Sequence, residues 1–473
     1  MKHYKRYLNN IGLFFIVVKM YDLVILGGGS AGFHAAMTAS KYKKKVCVIE
    51  KGPFGGLCIL KGCMPSKTLL YSSRLAELFK KSHKFGVYSE GKVKIDMGHM
   101  IARKNKIING FASARKEFLE KQENIEVVYG EAEFVDKKAI RVGEKLIEGK
   151  YFLIATGSKI FIPDVPGLRE TGFITSDDAL ELKKLPESVA VVGGGAVGVE
   201  LAYYFYGLGS KVILLQRGEQ LLNGVDKDIA KELERIFVEN GIKIYTSTSL
   251  KNFSLRNGKK QITFEHGKSE LQINVDEVLI ATGRKPNIEP LQLYKAGVKN
   301  EKGNLVVNDY LQTSNKNIYA AGDVSGKMPV VNVAVEEGRI AATNMFGKKR
   351  EKLDYNLIPS AVFSHPEIAW IGLNEEEAKR KYKDNVLIGK LPYSELGKAE
   401  CYDETDGFIK FIVEKRSKRI LGVGIIGHEA SDIIHEALPL LHFKATLYDL
   451  KKMLHIHPTF GEIFAYLCDE MLE

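Results

Sequence analysis

The chain has 473 residues, 45% of them hydrophobic, which is ordinary for a globular protein of about three domains. The 69 lysines and arginines exceed the 58 aspartates and glutamates by 11, but they are spread along the chain without a basic arm or zinc-finger spacing, so nucleic acid is not an expected partner. Only five cysteines occur and three are scattered (Cys47, Cys401, Cys468), which excludes a secreted disulfide framework and favours a cytoplasmic protein.

Residues 1–19 are basic at their start and carry an apolar run at 11–18. The run is too short to span a membrane, and no small-residue cleavage site follows it. We expect Met20 to be the true start and 1–19 to be a poorly ordered or mis-assigned extension. An N-terminal membrane anchor is the alternative, although no membrane partner is expected.

The segment at 21–51, YDLVILGGGSAGFHAAMTASKYKKKVCVIEK, combines a strand, a glycine fingerprint, a helix and a second strand. The fingerprint is Gly27-x-Gly29-x-x-Gly32, and the second strand ends in Glu50. Glycines permit a tight turn and close approach of a pyrophosphate, and the acid can accept a hydrogen bond from a ribose hydroxyl. This pattern predicts a dinucleotide-binding unit.

Two cysteines follow in GGLCILKGCMPSK at 55–67. Cys58 and Cys63 could form a metal clip, a structural disulfide or a redox pair. Pro65 indicates a helix start near Cys63, where the helix dipole and Lys67 would favour a thiolate. The redox interpretation therefore explains more of the segment than the other two.

A second fingerprint occurs at 188–218, with Gly193, Gly195 and Gly198. Its second strand ends in Gln216 and Arg217 rather than in an acid. The arginine can hold the 2′-phosphate of NADP, whereas the third glycine is more typical of NAD-binding proteins. NAD is the weakly favoured cofactor, and NADP(H) stays open.

Each fingerprint is followed by a strand that ends in Ala-Thr-Gly, at 151–158 and at 278–287. A further strand, NIYAAGD, ends in Asp323. This order predicts an α/β fold with two Rossmann-like three-layer dinucleotide-binding domains, the second inserted into the first. The first would hold FAD and the second a nicotinamide cofactor.

The pattern changes after about residue 355. Strands are predicted at 408–415 and 420–427, and a helix at 431–443, which indicates a C-terminal α+β domain. The predicted domains are an extension at 1–19, an FAD-binding domain at 20–165 and 290–355, a nicotinamide-binding domain at 166–289 and a dimerisation domain at 356–473.

The segment HIHPTFGE at 455–462 completes the set of candidate residues. With Cys58 and Cys63, His455 and His457 could form a Cys2His2 zinc site. The cysteine spacing is wide for zinc, so no metal is predicted. A histidine oriented by a carboxylate is instead suited to acid–base catalysis of thiol oxidation, which points to His457 with Glu462.

These motifs together resemble the flavin-dependent pyridine-nucleotide–disulfide oxidoreductases over residues 20–473. Three segments, IPSAVFSHPEIAWIGL (358–373), GHEASDIIHEA (427–437) and HIHPTFGE, are most similar to dihydrolipoamide dehydrogenases. The resemblance implies electron transfer between NAD(P)(H) and a small dithiol or disulfide, including lipoyl groups on a carrier protein. It also implies a homodimer with an active site shared between subunits.

Roles for individual residues follow from the resemblance. Cys58 would exchange with substrate, Cys63 would face the flavin, and Lys67 would pair with Glu200 beside it. His457 of the partner subunit would be the acid–base catalyst. The predicted cofactor-binding residues are Gly27, Gly29, Ser30, Ala31, Gly32, Glu50, Lys51, Gly56, Lys67, Gly130, Ala155, Thr156, Gly157, Ser158, Gly193, Gly195, Ala196, Val197, Gly198, Glu200, Gln216, Arg217, Ala281, Thr282, Gly283, Arg284, Gly322, Asp323 and Val331.

The chain departs from the lipoamide dehydrogenase pattern around Cys58 and at Gln216. Alternatives are therefore an NADPH-dependent reductase of another disulfide or persulfide, a mercuric-reductase-like enzyme, and a flavin-bearing redox sensor or assembly protein with little turnover. Mercuric reductases end in a vicinal cysteine pair, and here only Cys468 stands near the terminus.

Overall fold

The computed structural model describes residues 16–88 and 93–473. Its strands are β1 (Ile16–Leu26), β2 (Val46–Glu50), β3 (Ile125–Tyr129), β4 (Ala132–Phe134), β5 (Ala139–Val142), β6 (Lys145–Ile154), β7 (Ser158–Ile160), β8 (Ile174–Thr175), β9 (Ser188–Val192), β10 (Lys211–Leu215), β11 (Lys243–Tyr245), β12 (Thr248–Arg256), β13 (Lys259–His266), β14 (Ser269–Val275), β15 (Glu277–Ile280), β16 (Arg284–Pro286), β17 (Asn300–Glu301), β18 (Asn304–Leu305), β19 (Ile318–Ala320), β20 (Ser360–Val362), β21 (Glu367–Gly372), β22 (Val386–Pro392), β23 (Phe408–Glu414) and β24 (Ile420–Gly427).

The α-helices of the described residues are α1 (Ser30–Lys41), α2 (Gly56–Leu60), α3 (Cys63–Lys81), α4 (Met97–Glu120), α5 (Leu168–Thr171), α6 (Ser176–Ala179), α7 (Ala196–Leu208), α8 (Lys227–Glu239), α9 (Val331–Phe346), α10 (Glu375–Tyr382), α11 (Gly397–Tyr402), α12 (Ala430–Ile433), α13 (Ala437–His442), α14 (Leu447–Leu450) and α15 (Ile463–Leu472). Among these helices, none combines the length and the apolar character that crossing a membrane requires.

The described residues form two compact units. Unit 1 comprises 16–65, 104–161 and 284–353, and unit 2 comprises 66–88, 93–103, 162–283 and 354–473. The three-domain division with boundaries at 165, 289 and 355 stays a prediction. The predicted extension at 1–19 lies outside the described residues except for 16–19, whose backbone is part of β1.

Unit 1 contains a parallel sheet in the order β3-β2-β1-β6-β19, extended by an antiparallel ladder of β6, β5 and β4. The sequence β1-α1-β2 is the predicted strand–helix–strand unit, with Leu23 paired to Val46 in parallel register. Helix α1 is alanine-rich on its buried face, where Ala35 and Ala39 are fully buried. Its small side chains allow α9 to pack closely, and a Cβ on Gly338 would lie 2.2 Å from the carbonyl oxygen of Ala31.

Unit 2 repeats this architecture. A parallel sheet in the order β11-β10-β9-β15-β8 is accompanied by an antiparallel sheet of β12, β13 and β14. Helix α7 connects β9 to β10, as α1 connects β1 to β2. The two predicted dinucleotide-binding folds are thereby confirmed.

The C-terminal part of unit 2 is an antiparallel sheet in the order β20-β21-β24-β23-β22, covered by short helices. Strands β23 and β24 confirm the two predicted strands. The single helix predicted at 431–443 is wrong, because a 3-10 turn at Ile434–Glu436 separates α12 from α13. Pro439 explains the break, since it has no N–H to donate and its ring clashes with the carbonyl four residues earlier.

Candidate active site

The first glycine loop has no room for side chains. Gly27 has φ +111°, and a Cβ there would lie 2.3 Å from the carbonyl oxygen of Ala155. A Cβ on Gly32 would lie 1.9 Å from the carbonyl oxygen of Gly27. The loop leads directly into α1 at Ser30. The bare backbone and the N–H groups of the helix end fit the pyrophosphate that the sequence predicts here.

Glu50 closes the loop from β2. Its carboxylate accepts the N–H of Gly28 at 2.7 Å and the N–H of Gly52 at 3.1 Å. The predicted ribose-binding acid is therefore already fixed in orientation by its own loop. Gly56 adds a second close approach, because a Cβ there would lie 2.6 Å from the Cα of Gly29.

Three further predicted residues of unit 1, Ser158, Asp323 and Arg284, lie together. The Ser158 hydroxyl donates to the Asp323 carboxylate at 2.6 Å and accepts from the Arg284 guanidinium at 2.8 Å. Arg284 also donates to the Ser158 carbonyl at 2.9 Å. Arg284 follows the second Ala-Thr-Gly segment, whereas Ser158 follows the first, so these hydrogen bonds join the ends of the two repeats.

Three other predicted residues of unit 1 are Gly130, Lys51 and Val331, each at a different place in the chain. The N–H of Gly130 donates to the Glu50 carbonyl at 3.0 Å. The exposed Lys51 pairs with Glu131 at 3.5 Å. Val331 is the first residue of α9.

Arg115 was not predicted and lies in unit 1 with Cys58. Its guanidinium donates to the Ser30 hydroxyl at 3.4 Å, and it stacks over the Phe33 ring at 4.9 Å. Burial lowers the pKa of Arg115, and electrostatic attraction to Cys58 opposes that shift. The Arg115 cation thus contacts the first residue of α1 and is electrostatically attracted to the outer cysteine. Nothing in the basic, amphipathic sequence of α4 distinguishes this arginine from its neighbours.

The two cysteines occupy different local structures. Cys58 lies within the short helix α2, and Cys63 is the first residue of α3. Pro65 is the third residue of α3, in the first turn, where the missing N–H costs no hydrogen bond. The predicted helix start is confirmed, and it places the Cys63 sulfur where the helix dipole favours a thiolate.

Lys67, one turn along α3, pairs with Glu200 as predicted. Its ammonium donates to both carboxylate oxygens of Glu200, at 2.9 and 2.7 Å. Glu200 is buried on α7 and also accepts the N–H of Phe363 at 3.1 Å. The Phe363 ring lies 4.4 Å from the Lys67 ammonium. Phe363 therefore fixes both members of the pair, a role that the sequence did not indicate.

His457 and Glu462 form the predicted dyad. Nδ1 of His457 lies 2.9 Å from Glu462, whose other oxygen accepts the Thr459 N–H at 2.7 Å. Burial raises the pKa of Glu462, but the Thr459 N–H and His457 outweigh it, so the pKa lies below its ordinary value. The carboxylate is 10% exposed and the imidazole 71% exposed. The dyad presents Nε2 outward with its tautomer fixed from behind.

A second histidine–glutamate pair lies beside the first. Nε2 of His455 is 2.7 Å from the Glu436 carboxylate, and the side chain of His455 is only 13% exposed. From the sequence, His455 was predicted only as a possible zinc ligand. In unit 2 it instead ties the segment that precedes His457 to the turn at Ile434–Glu436.

The second glycine loop reproduces the first with one change of charge. Gly193 has φ +114°, and a Cβ there would lie 2.3 Å from the Ala281 carbonyl oxygen. Gln216 stands where the first unit has Glu50, and its Oε1 accepts the N–H of Gly194 at 3.0 Å. Its Nε2 donates to the Gln220 carbonyl at 3.2 Å. The amide therefore preserves the loop without supplying a carboxylate.

The remaining predicted residues of this loop lie around α7. Gly195 precedes the helix, Ala196 and Val197 form its first turn, and Val197 is exposed. Arg217 is exposed. Thr282 and Gly283 follow β15, as Thr156 and Gly157 follow β6.

Residues 21–338 match the family model described as pyridine nucleotide-disulphide oxidoreductase, and residues 358–468 match the dimerisation domain of that family. The chain belongs to this family. It is 36% identical over 443 residues to a mercuric reductase of Lysinibacillus sphaericus, covering 93% of this chain and 81% of that protein. It is 34% identical over 459 residues to a dihydrolipoyl dehydrogenase of Bacillus subtilis (strain 168), covering 93% of this chain and 96% of that protein.

A solved structure is also similar along nearly the whole chain. The Cu(II) complex of the HOCl-induced flavoprotein disulfide reductase RclA from Escherichia coli superposes with a TM-score of 0.86 at 30% identity, covering 96% of this chain and 100% of that chain. The family depends on FAD and a pyridine nucleotide. The glycine loop at 27–29, with Glu50 behind it, fits such a dinucleotide, so the flavoprotein prediction is confirmed at the level of the family.

Proposed function

We propose that the protein exchanges two electrons between a nicotinamide cofactor and a small dithiol, in the manner of dihydrolipoamide dehydrogenase. The observation that carries this proposal is the His457–Glu462 dyad, in which Nδ1 of His457 lies 2.9 Å from Oε1 of Glu462. A dithiol substrate must lose two protons as it is oxidised, and an imidazole with a fixed tautomer can accept them near neutral pH. Reduction of a metal ion would not require such a base.

The chain's own residues account for the thiol chemistry. A substrate thiolate, formed when His457 accepts its proton, attacks the Cys58 sulfur of the Cys58–Cys63 disulfide and releases Cys63 as a thiolate. The second substrate thiol then attacks the substrate sulfur of the mixed disulfide, releasing Cys58 and the oxidised, cyclic product. FAD, when bound, supplies the two-electron relay between the reduced cysteines and the nicotinamide.

A shared active site is part of the proposal. The dimerisation-domain match supports a homodimer. Leu454 is 100% exposed and Ile456 is 80% exposed, and both shortly precede the outward-facing His457 in the chain. Clustered apolar side chains on the surface of a monomer are typical of a face that another protein surface covers. We therefore assign His457 to the dithiol of the partner subunit.

The C-terminal cysteine does not favour a metal substrate. Cys468 is fully buried, and its thiol donates to the Leu447 carbonyl at 3.1 Å. Burial raises the pKa of Cys468 to about 11. A buried, protonated thiol is poorly suited to capture a soft metal ion from solution.

One observation favours a second candidate, an NADPH-dependent reductase of another small disulfide. Gln216 provides no carboxylate for a free ribose hydroxyl, and Arg217 is exposed beside it. A 2′-phosphate would meet no like charge from Gln216 and could be held by the arginine.

The two candidates are separated by side-by-side turnover of the FAD-loaded protein with NAD(H) and NADP(H). The substrates are dihydrolipoamide and lipoamide, glutathione disulfide, coenzyme A disulfide and mercuric ion, with Cys58→Ser as the control. Oxidation of dihydrolipoamide with NAD supports the first candidate. Strong NADPH preference without lipoamide activity supports the second, and no turnover of any substrate supports a redox sensor.

A further inference from the structure

Two histidines and a glutamate that belong neither to the dyad nor to the lysine–glutamate pair converge in unit 2. His365 precedes β21, Glu404 follows α11, and His428 follows β24. Nε2 of His365 lies 3.1 Å from Oε2 of Glu404, and Nδ1 of His428 lies 3.7 Å from the same oxygen. Within 16–88 and 93–473, no other trio of histidine, cysteine or acidic side chains brings its ligand atoms within 4.8 Å of one another.

The spacing of these atoms is compatible with a bound ion as well as with a hydrogen bond between His365 and Glu404. A tetrahedral ion with bonds of about 2.0–2.1 Å separates its ligand atoms by roughly 3.3–3.5 Å, and the two distances bracket that value. At 3.7 Å, His428 makes no hydrogen bond to Glu404. The Glu404 oxygen is therefore approached by two imidazole nitrogens, of which only one can be hydrogen-bonded to it.

The surroundings resemble the outer partners of a metal site. Arg74 pairs with the second oxygen of Glu404, which orients the first oxygen toward the histidines. The other ring nitrogen of His428 faces the Glu429 carboxylate at 3.6 Å. The three candidate ligands are mostly buried, with side chains 15%, 13% and 21% exposed.

We propose that His365, Glu404 and His428 bind a divalent ion of the zinc class, with water as a fourth ligand. Two imidazole nitrogens and one carboxylate oxygen are a ligand set that suits zinc.

The site would brace two elements used in the proposed function. Arg74, which holds Glu404, lies on α3, the helix that begins at Cys63. The ring of His428 lies 5.0 Å from that of Phe460, which belongs to the turn that also contains Glu462. A structural ion here stabilises the folded protein by a free energy that rises with the logarithm of its concentration relative to its dissociation constant.

The test measures Zn²⁺ binding to the FAD-loaded protein by calorimetry, together with the EPR spectrum of bound Cu²⁺ as a probe. A Cys58→Ser/Cys63→Ser background removes the dithiol as a competing metal site. We expect one Zn²⁺ per chain, a higher Tm with Zn²⁺, and hyperfine splitting from two imidazole nitrogens in the Cu²⁺ spectrum.

His428→Ala and His365→Ala should each weaken Zn²⁺ binding at least about 10-fold, the loss expected when a metal site is disturbed. His435→Ala, at an exposed histidine seven residues beyond His428, is the matched control and should bind as the parent does. Unchanged binding in either ligand variant, or no binding in the cysteine-free background, overturns the proposal. If a variant fails to fold, a Cu²⁺ spectrum of the parent without imidazole nitrogen coupling overturns it.

Discussion

Replacing Gln216 with glutamate should shift the nicotinamide preference toward NAD. In the first unit Glu50 accepts the Gly28 N–H at 2.7 Å, and in the second Gln216 accepts the Gly194 N–H at 3.0 Å. Gln216→Glu therefore keeps the hydrogen bond that shapes the loop. What changes is the Nε2 atom, which donates to the Gln220 carbonyl at 3.2 Å and becomes a carboxylate oxygen.

The magnitude follows from the hydrogen bonds that are lost and gained. Losing the neutral bond to the Gln220 carbonyl costs about 0.5–1.5 kcal/mol of stability. The freed carboxylate oxygen turns from that carbonyl and can accept a ribose hydroxyl, a charged hydrogen bond worth about 1.5–3 kcal/mol. Since about 1.4 kcal/mol is tenfold, the ratio of kcat/KM for NADH over NADPH should rise by roughly 10- to 100-fold.

The assay is steady-state reduction of the best disulfide substrate with each nicotinamide, in parent and variant. Gln220→Glu is the matched control, because it adds the same charge in the same loop without contacting Gly194. We expect a much smaller change in its ratio. An unchanged ratio in Gln216→Glu, or an equal rise in the control, would refute the inference that this position reads the ribose.

Three other predictions concern single side chains. The side chain of Lys410 is 1% exposed, and its ammonium lies among the carboxylates of Asp226, Asp228 and Glu375. Lys410→Met should therefore lower the free energy of unfolding, measured in urea, by about 3–5 kcal/mol. Lys390→Met, at a lysine that is 45% exposed, is the control and should lower it by less than about 1 kcal/mol. Arg115→Gln should slow iodoacetamide labelling of Cys58 in the reduced protein at neutral pH, and an unchanged rate contradicts the electrostatic attraction between them. His457→Gln should lower thiol turnover by a factor of about 10²–10⁴ with FAD content unchanged. Mixing this variant with Cys58→Ser under subunit exchange should restore part of the activity, because each heterodimer has one intact site. Heterodimers that form without recovery of activity contradict the shared site.

The parts of the fold that the sequence predicted depend on local patterns. Each glycine fingerprint is complete within about 30 residues, and the two appear in the structure as β1-α1-β2 and β9-α7-β10. The strands that lead into Ala-Thr-Gly appear as β6 and β15. The strands at 408–414 and 420–427 are continuous apolar runs, which indicate buried strands of a sheet. The prediction of one helix over 431–443 followed the helical spacing of its apolar residues. It was wrong because Pro439 interrupts the backbone hydrogen bonds of that segment.

The parts of the site that the sequence missed depend on contacts between distant segments. Arg115 acts on Cys58 across 57 positions of the chain, and the N–H of Phe363 reaches Glu200 across 163. Neither has a recognisable spacing, because the packing of whole elements brings them together. A backbone N–H in particular carries no sequence signal, since every residue except proline has one.

The two histidine–glutamate pairs show how exposure assigns different roles to the same chemistry. His455 is 13% exposed and its pair with Glu436 joins two backbone segments, whereas His457 is 71% exposed and its pair with Glu462 leaves Nε2 facing outward. Breaking a buried pair leaves an unpaired polar group in the interior, so a buried pair suits an anchor. An exposed imidazole gains little stability from its carboxylate, because water screens the interaction. The fixed orientation of His457 is therefore consistent with the proposed acid–base reaction at Nε2, and the anchored pair of His455 and Glu436 lies two residues earlier in the chain.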